Sequence, residues 1–159
     1  MGDVRVRVAG EGDLDAAVAL FRGYLRFYRV DVADAEQPRA FLAERLRNGD
    51  SLILLAEGAE GAEGAEVEVV GFAQVYRTFA SLLMRPSWIL HDLYVDPSAR
   101  RTGAGRALLR EVLRRAREAG VAGVQLDTAY DNHVAQALYE AEGFEREEFH
   151  LYFHGLHGL

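Results

Sequence analysis

The sequence predicts an α/β domain in which a mixed sheet carries helices on both faces. Segments with strand alternation interleave with segments of helical period along the chain. The 159 residues suit one domain with one core, and no apolar run of roughly 18 residues is present to cross a membrane. No internal boundary is visible, so residues 1–159 are expected to form a single domain.

The elements follow in order. Val4, Val6 and Val8 alternate with Arg5 and Arg7, a half-buried strand. Asp13 is placed to cap a helix whose apolar positions, Leu14, Ala17, Val18, Phe21, Tyr24 and Leu25, share one face. Pro38 starts a second helix through Phe41, Leu42 and Leu46, with Gly49 where a stop belongs. Ser51 to Glu57 reads as a strand. The repeat EGAEGAEGAE, Glu57 to Glu66, is too rich in glycine for helix or strand and reads as a mobile hairpin loop.

Val67 to Tyr76 and Trp88 to Val95 are the next strands, the latter ended by Asp96-Pro97. From Gly105 to Ala119, Leu108, Leu109, Val112, Leu113 and Ala116 share a face opposite the arginines, and Gly120 stops the helix. Val124 to Asp127 is a short strand. Asn132 to Glu142 is a helix ended by Gly143, and Phe144 to Phe153 supplies closing strand material.

Composition narrows the chemistry. Cysteine is absent, which excludes disulfides, thiolate–metal sites and a cysteine nucleophile. The N-terminus lacks the apolar centre of a signal peptide, and the cytoplasm is the expected address. A net charge of −7 argues against a general binder of nucleic-acid backbone. It fits both a solubilising surface and a cationic substrate drawn to acidic walls. Seven arginines nevertheless fall between Arg100 and Arg117, a local basic region that suggests an anion-binding spot.

The informative stretch runs from Leu93 to Arg106. A strand stops, a turn follows, and a glycine-containing loop opens straight into a helix. The first amides of a helix lack intrahelical partners and carry partial positive charge, so they attract phosphate. Gly103 and Gly105 let a pyrophosphate approach the backbone, and Arg100, Arg101 and Arg106 add charge. The spacing is not that of a P-loop, and Leu108 stands where a dinucleotide fingerprint needs its third glycine.

Arg100-x-x-Gly103-x-Gly105 after Leu-Tyr-Val-Asp-Pro resembles motif A of the GNAT superfamily of N-acetyltransferases. The run Asn132-His133-Val134-Ala135-Gln136-Ala137-Leu138-Tyr139-Glu140, continued by Gly143-Phe144, resembles that superfamily's late helix. The order of elements is similar throughout, so the resemblance covers nearly the whole chain. Gly71-Phe72-Ala73, Leu90 to Val95 and the aromatic segment Tyr24 to Tyr28 look like the branch containing diamine (polyamine) and certain histone acetyltransferases. His91 stands where the polyamine members usually have glutamate, which counts against a polyamine acceptor.

The resemblance implies a splayed sheet and acetyl-CoA as cosubstrate, with no metal. It pairs the pantetheine arm with the backbone of Leu93, Tyr94 and Val95. The pyrophosphate then sits on Arg101, Thr102, Gly103, Ala104, Gly105 and Arg106 beside Arg100, and Asn132 and Ala135 line the other side. Tyr139 becomes the group that donates a proton or hydrogen bond to the departing thiolate; helical spacing alone fits a core aromatic equally well. Its unperturbed pKa of about 10 lies near that of the thiol it serves.

An acceptor amine of pKa about 10 must lose a proton before it attacks. His91 suits that task near neutral pH, with Asp92 behind it, although a packed histidine is the plainer alternative. Strand alternation sends the two to opposite faces unless a bulge intervenes. Phe27 and Tyr28 are candidate acceptor contacts, whereas Tyr24 fits the core. Asp127 and Thr128 end a strand beside the expected cleft. His150, His154 and His157 have no carboxylate or helix to frame them, so no metal site is expected.

A small-molecule amine is the favoured acceptor, with a protein lysine or N-terminus and a non-catalytic acyl-CoA sensor as alternatives. The resemblance adds a homodimer, and neither nucleic acid nor membrane is expected as a partner.

Overall fold

The structure, a computed structural model, describes residues 4–58 and 67–157. Five strands and four helices follow in the order β1 (Arg5–Val8), α1 (Leu14–Phe27), α2 (Gln37–Asn48), β2 (Ser51–Glu57), β3 (Val69–Ala80), β4 (Arg85–Val95), α3 (Ala104–Ala119), β5 (Val124–Gln125) and α4 (His133–Ala141). They fall into two compact units, Met1–Asp127 with the sheet and α1 to α3, and Thr128–Leu159 with α4. No helix among the described residues is long and apolar enough to cross a membrane.

The strands lie in the order β1-β2-β3-β4-β5. All neighbours are antiparallel except β4 and β5, which run parallel because α3 carries the chain across between them. Alternation divides the central strands between two layers. Ile53, Leu55, Phe72 and Tyr94 join Ala17, Val18 and Leu20 of α1 and Leu42 of α2 in one cluster. On the opposite face Leu108, Leu109 and Val112 of α3 are fully buried against the sheet. Each contributes about 1.5–3 kcal/mol by leaving water. An alanine side chain at Gly71 would meet Leu108 at 3.2 Å, which shows how closely α3 lies on β3.

One polar knot ties the strand edge to α1. The Arg7 guanidinium grips both Asp13 carboxylate oxygens at 2.8 Å and also reaches Glu57. Asp13 therefore does not cap α1 with its side chain, as the sequence suggested. It accepts from Arg7 and from the Gly10 amide instead, and is held down at about 2. A depressed carboxylate stabilises the fold above the ordinary carboxylate range, and that contribution fades as the pH falls toward 2.

Two expectations about strands need correction. β3 and β4 run further than the apolar pattern, and Arg77–Ala80 pairs with Arg85–Trp88 as a ribbon beyond the last β2 partner, Tyr76. Most of that ribbon and its tip face solvent, with Leu82 93% and Met84 89% exposed, so no alternation marks them. Phe144–Phe153 forms no strand: Phe149, Leu151, Tyr152 and Phe153 are exposed. β propensity without a partner edge does not make a strand, and none is present among the described residues of that unit. The glycine–glutamate–alanine repeat lies, from residue 59 to 66, outside the described residues.

Gly23 on α1 faces the Tyr94 ring. A β-carbon there would stand 2.7 Å from the Tyr94 hydroxyl and 3.0 Å from Cε2 and Cζ. Gly23→Ala is expected to destabilise the fold in urea by about 1–2 kcal/mol, because overpacking outweighs alanine's helix preference. Tyr94→Phe, which removes the nearest atom, should recover part of that loss.

Candidate active site

The site begins with one extra residue in β4. Gln74 pairs with Asp92, but the next residue, Val75, pairs with Leu90, so His91 has no opposite number on β3. A bulge of this kind interrupts alternation and turns two successive side chains to one face. The contacts agree. Asp92 accepts from Gln74 Nε2 at 2.8 Å, and the His91 ring meets Tyr76 edge-on at 5.1 Å. Gln74 and Tyr76 share the face that packs on α1, so His91 and Asp92 share it too.

His91 is exposed and Asp92 half-buried. Burial pushes the Asp92 carboxyl above its ordinary value, while Gln74, the Tyr24 hydroxyl and the nearby His91 pull it back in part. Tyr24 lies half-buried on the α1 core, as its spacing suggested, but its hydroxyl also reaches the His91 carbonyl at 3.3 Å. Tyr76 is pushed up to about 12, first by burial and then by Asp92.

The end of α1 supplies an aromatic wall. Tyr28 packs on Tyr24 at 4.9 Å and on Phe27 at 5.1 Å. Phe27 and Tyr28 are 50% and 44% exposed, enough to offer ring surface to a ligand. Burial raises the Tyr28 phenol, helped by the negative charges of Asp127 and Asp92. The charges of Asp92 and Asp127 thus both reach Tyr28.

Beyond the bulge, the strand opens. β5 pairs only with Trp88 and Ile89, so among the described residues no strand covers that side of β4 from Leu90 to Val95. The Tyr94 side chain is buried in the α1 core, which leaves its backbone as the part available for binding. Arg100 lies over the Phe27 ring at 5.6 Å, with Nε 3.4 Å from the Val95 carbonyl.

The turn into α3 has unusual backbone. Thr102 Oγ1 donates to the Ala99 carbonyl at 2.6 Å, and Arg101 holds a left-handed φ of 68°. Gly103 follows at φ 87°, which favours glycine, and no side chain caps the helix it opens. Ala104 is buried beneath, Gly105 is half-buried and Arg106 is exposed. A closely approachable backbone with two exposed arginines fits a diphosphate.

In the second unit Asn132 Oδ1 caps α4 by accepting from the Ala135 amide at 3.3 Å, so two expected cofactor contacts engage each other. Tyr139 is half-buried on α4, 6.0 Å from the Phe144 ring. His150, His154 and His157 are exposed, and no group of three metal-ligating side chains is assembled among the described residues.

Comparison with known proteins agrees with this architecture. The pattern of the acetyltransferase (GNAT) family matches residues 17–144. The chain belongs to this family. It is 38% identical over 144 residues to the uncharacterized N-acetyltransferase YhfO of Bacillus subtilis (strain 168), covering 91% of each chain. It is 32% identical over 123 residues to the aminoglycoside N(6′)-acetyltransferase type 1 of Stenotrophomonas maltophilia, covering 76% of each. A crystal structure of a probable acetyltransferase matches with a TM-score of 0.84 at 36% identity, over 98% of this chain and 99% of that one.

This GNAT protein is accordingly an acetyl-CoA-dependent N-acetyltransferase. The residues that resemble motif A form the Arg100–Gly105 turn, and those that resemble the late-helix block include α4. Sequence reasoning missed Gln74, Ser51 and Tyr76. The signal was a lone amide inside the apolar run from Val69 to Val75, where a buried polar side chain demands partners.

Asp92 supplies a direct test of the site's electrostatics. Its folded pKa is raised, so the folded state carries a desolvation penalty once the pH exceeds the unfolded value. Asp92→Asn keeps an oxygen for Gln74 and removes that charge. Its melting temperature should exceed wild type at pH 7. The gain should vanish below about pH 3.9.

Proposed function

We propose that the enzyme moves the acetyl group of acetyl-CoA to a primary amine of a small molecule, by direct attack within a ternary complex. One observation carries the reading above the others: the β4 bulge turns His91 and Asp92 to the same face, beside an aromatic wall and a second carboxylate. Carboxylates and tyrosine rings together suit an alkylammonium group. The S. maltophilia relative, by its name, acts on aminoglycosides, which are small polyamino compounds.

Acetyl-CoA supplies the acyl group as a thioester. In this reading the backbone of Leu93, Tyr94 and Val95 pairs with the pantetheine arm along the uncovered side of β4. The amides from Arg101 to Arg106 hold the pyrophosphate with the Arg100 side chain, and Asn132 and Ala135 line its other side. Phe27, Tyr28 and Asp127 receive the acceptor.

His91 takes the ammonium proton and passes it to water, which its exposure allows, with Asp92 behind it. The freed nitrogen forms a bond to the carbonyl carbon, the carbon–sulfur bond breaks, and the proton left in excess on the nitrogen is lost to water. Tyr139 donates a proton or hydrogen bond to the departing thiolate. We read the protein as a cytoplasmic homodimer, in one catalytic domain over residues 1–159, that needs no metal, nucleic acid or membrane; light scattering tests the dimer.

Thiol release from acetyl-CoA, measured against polyamines, amino acids, aminoglycosides and a lysine peptide, tests the acceptor class. Turnover with a small amine is expected; acetylation of the peptide alone would overturn the reading. Tyr139→Phe should lower kcat about ten-fold or more with an unchanged circular dichroism spectrum, within the range of a lost general acid. His91→Ala should alter the pH–rate profile, and an unaltered profile rejects histidine as the base.

A further inference from the structure

A chain of hydrogen bonds runs through the sheet to Asp92. Ser51 Oγ donates to Gln74 Oε1 at 3.0 Å, and Gln74 Nε2 donates to Asp92 Oδ2 at 2.8 Å. Gln74 has no exposed surface. An amide has one acceptor end and one donor end, and flipping it would set its oxygen against a carboxylate. The serine proton on Oε1 therefore keeps the NH₂ group aimed at Asp92. From the other side comes Tyr24 of α1, whose hydroxyl hydrogen-bonds the Asp92 carboxylate and lies 3.3 Å from the carbonyl of the bulged residue. The charged oxygen is the stronger of its two acceptors.

Two donors from two different elements thus converge on one half-buried carboxylate. A buried glutamine in a strand is costly unless its partners are specified, and here both are. If Gln74 served packing alone, leucine would fill the place without a polar atom. The arrangement makes sense when the carboxylate must stay charged in a site that disfavours charge.

We propose that Ser51, Gln74 and Tyr24 are positioning residues that hold Asp92 as a carboxylate, so that Asp92 anchors the acceptor's ammonium group while His91 serves as the proton exit. This inference rests on the small-amine reading above and specifies which residue selects for a cation. The groups that act on Asp92 come from every neighbouring element. His91 lies on β4, Tyr24 and Tyr28 at the end of α1, and Tyr76 on β3; Arg45, Asp50 and Asp127 act at one remove, through Tyr76 and Tyr28. Among them, the donors Gln74 and Tyr24 favour the ionised form and burial opposes it.

The first test does not depend on turnover. Carboxyl carbon-13 NMR of the unliganded protein follows the Asp92 titration in wild type, Ser51→Ala, Gln74→Leu and Tyr24→Phe. Loss of a donor removes stabilisation of the charged form, so the midpoint should rise by about one pH unit in Gln74→Leu and Tyr24→Phe, the equivalent of one hydrogen bond. Ser51→Ala frees the amide to rotate and should raise it less. Ser51→Ala and Tyr24→Phe remain informative even if Gln74→Leu fails to fold. Unmoved midpoints in all three overturn the relay.

Kinetics then test the anchor. With an accepted amine, Gln74→Leu should raise KM for the amine by up to about ten-fold at pH values below the wild-type Asp92 midpoint, where one pH unit removes about nine-tenths of the remaining carboxylate, and leave kcat and the KM for acetyl-CoA nearly unchanged. The acidic limb of kcat/KM should move up with the NMR midpoint. A shifted midpoint with no change in amine KM below the wild-type midpoint overturns the anchoring role. A shifted midpoint in a protein that acetylates no small amine leaves the relay standing and rejects the acceptor reading instead.

Discussion

The site depends on a one-residue surplus in β4. Because His91 has no partner across the ladder, the strand turns two consecutive polar side chains toward α1 before resuming its alternation at Leu93. Without the bulge, His91 and Asp92 would face opposite layers, one of them in the apolar packing beneath α3. With it, the strand ahead of the bulge packs Leu90 under α3, and the strand after it sends Tyr94 into the α1 core. One irregularity in backbone pairing thus separates a structural half of β4 from a chemical half.

The other strands cooperate with that division. β5 stays beside β4 only at Trp88 and Ile89, just ahead of the bulge, so the two strands part where the polar residues begin. The turn that follows β4 is held by local bonds, the Ser98 amide to Asp96 and Thr102 to the Ala99 carbonyl, together with the Asp96 amide on the Val70 carbonyl of β3. Its left-handed residues, Arg101 and Gly103, then deliver the chain into α3 with bare backbone at the helix start. The bulge and the turn into α3 are therefore consecutive along fifteen residues of chain, Leu90 to Ala104.

Much of this was legible before any coordinates. α3 announced itself because one face is aliphatic and the other arginine, a contrast that only a half-buried helix produces. The Gly103 turn was legible because a residue without Cβ is the ordinary solution to a left-handed backbone. The bulge was not, since ILHDLYV alternates well enough on either side to hide one surplus residue. Gln74 escaped for a related reason: its neighbours describe a core strand, and the partners that make an amide tolerable there come from β2 and β4. The late aromatic segment misled because alternation reports propensity, while a strand is made by its neighbour.

The close fit of Gly23 against Tyr94 has a consequence for altering this enzyme's acceptor preference. The same tyrosine whose ring meets α1 contributes its backbone to the uncovered run of β4, so the helix and the strand are clamped together at one point. Phe27 and Tyr28 stand one turn further on, partly in solvent, and carry none of that clamp. Redesign therefore has a natural hinge line along α1: positions past residue 26 are open to diversification, whereas those before it are bound to the scaffold and would drag the uncovered run of β4 with them.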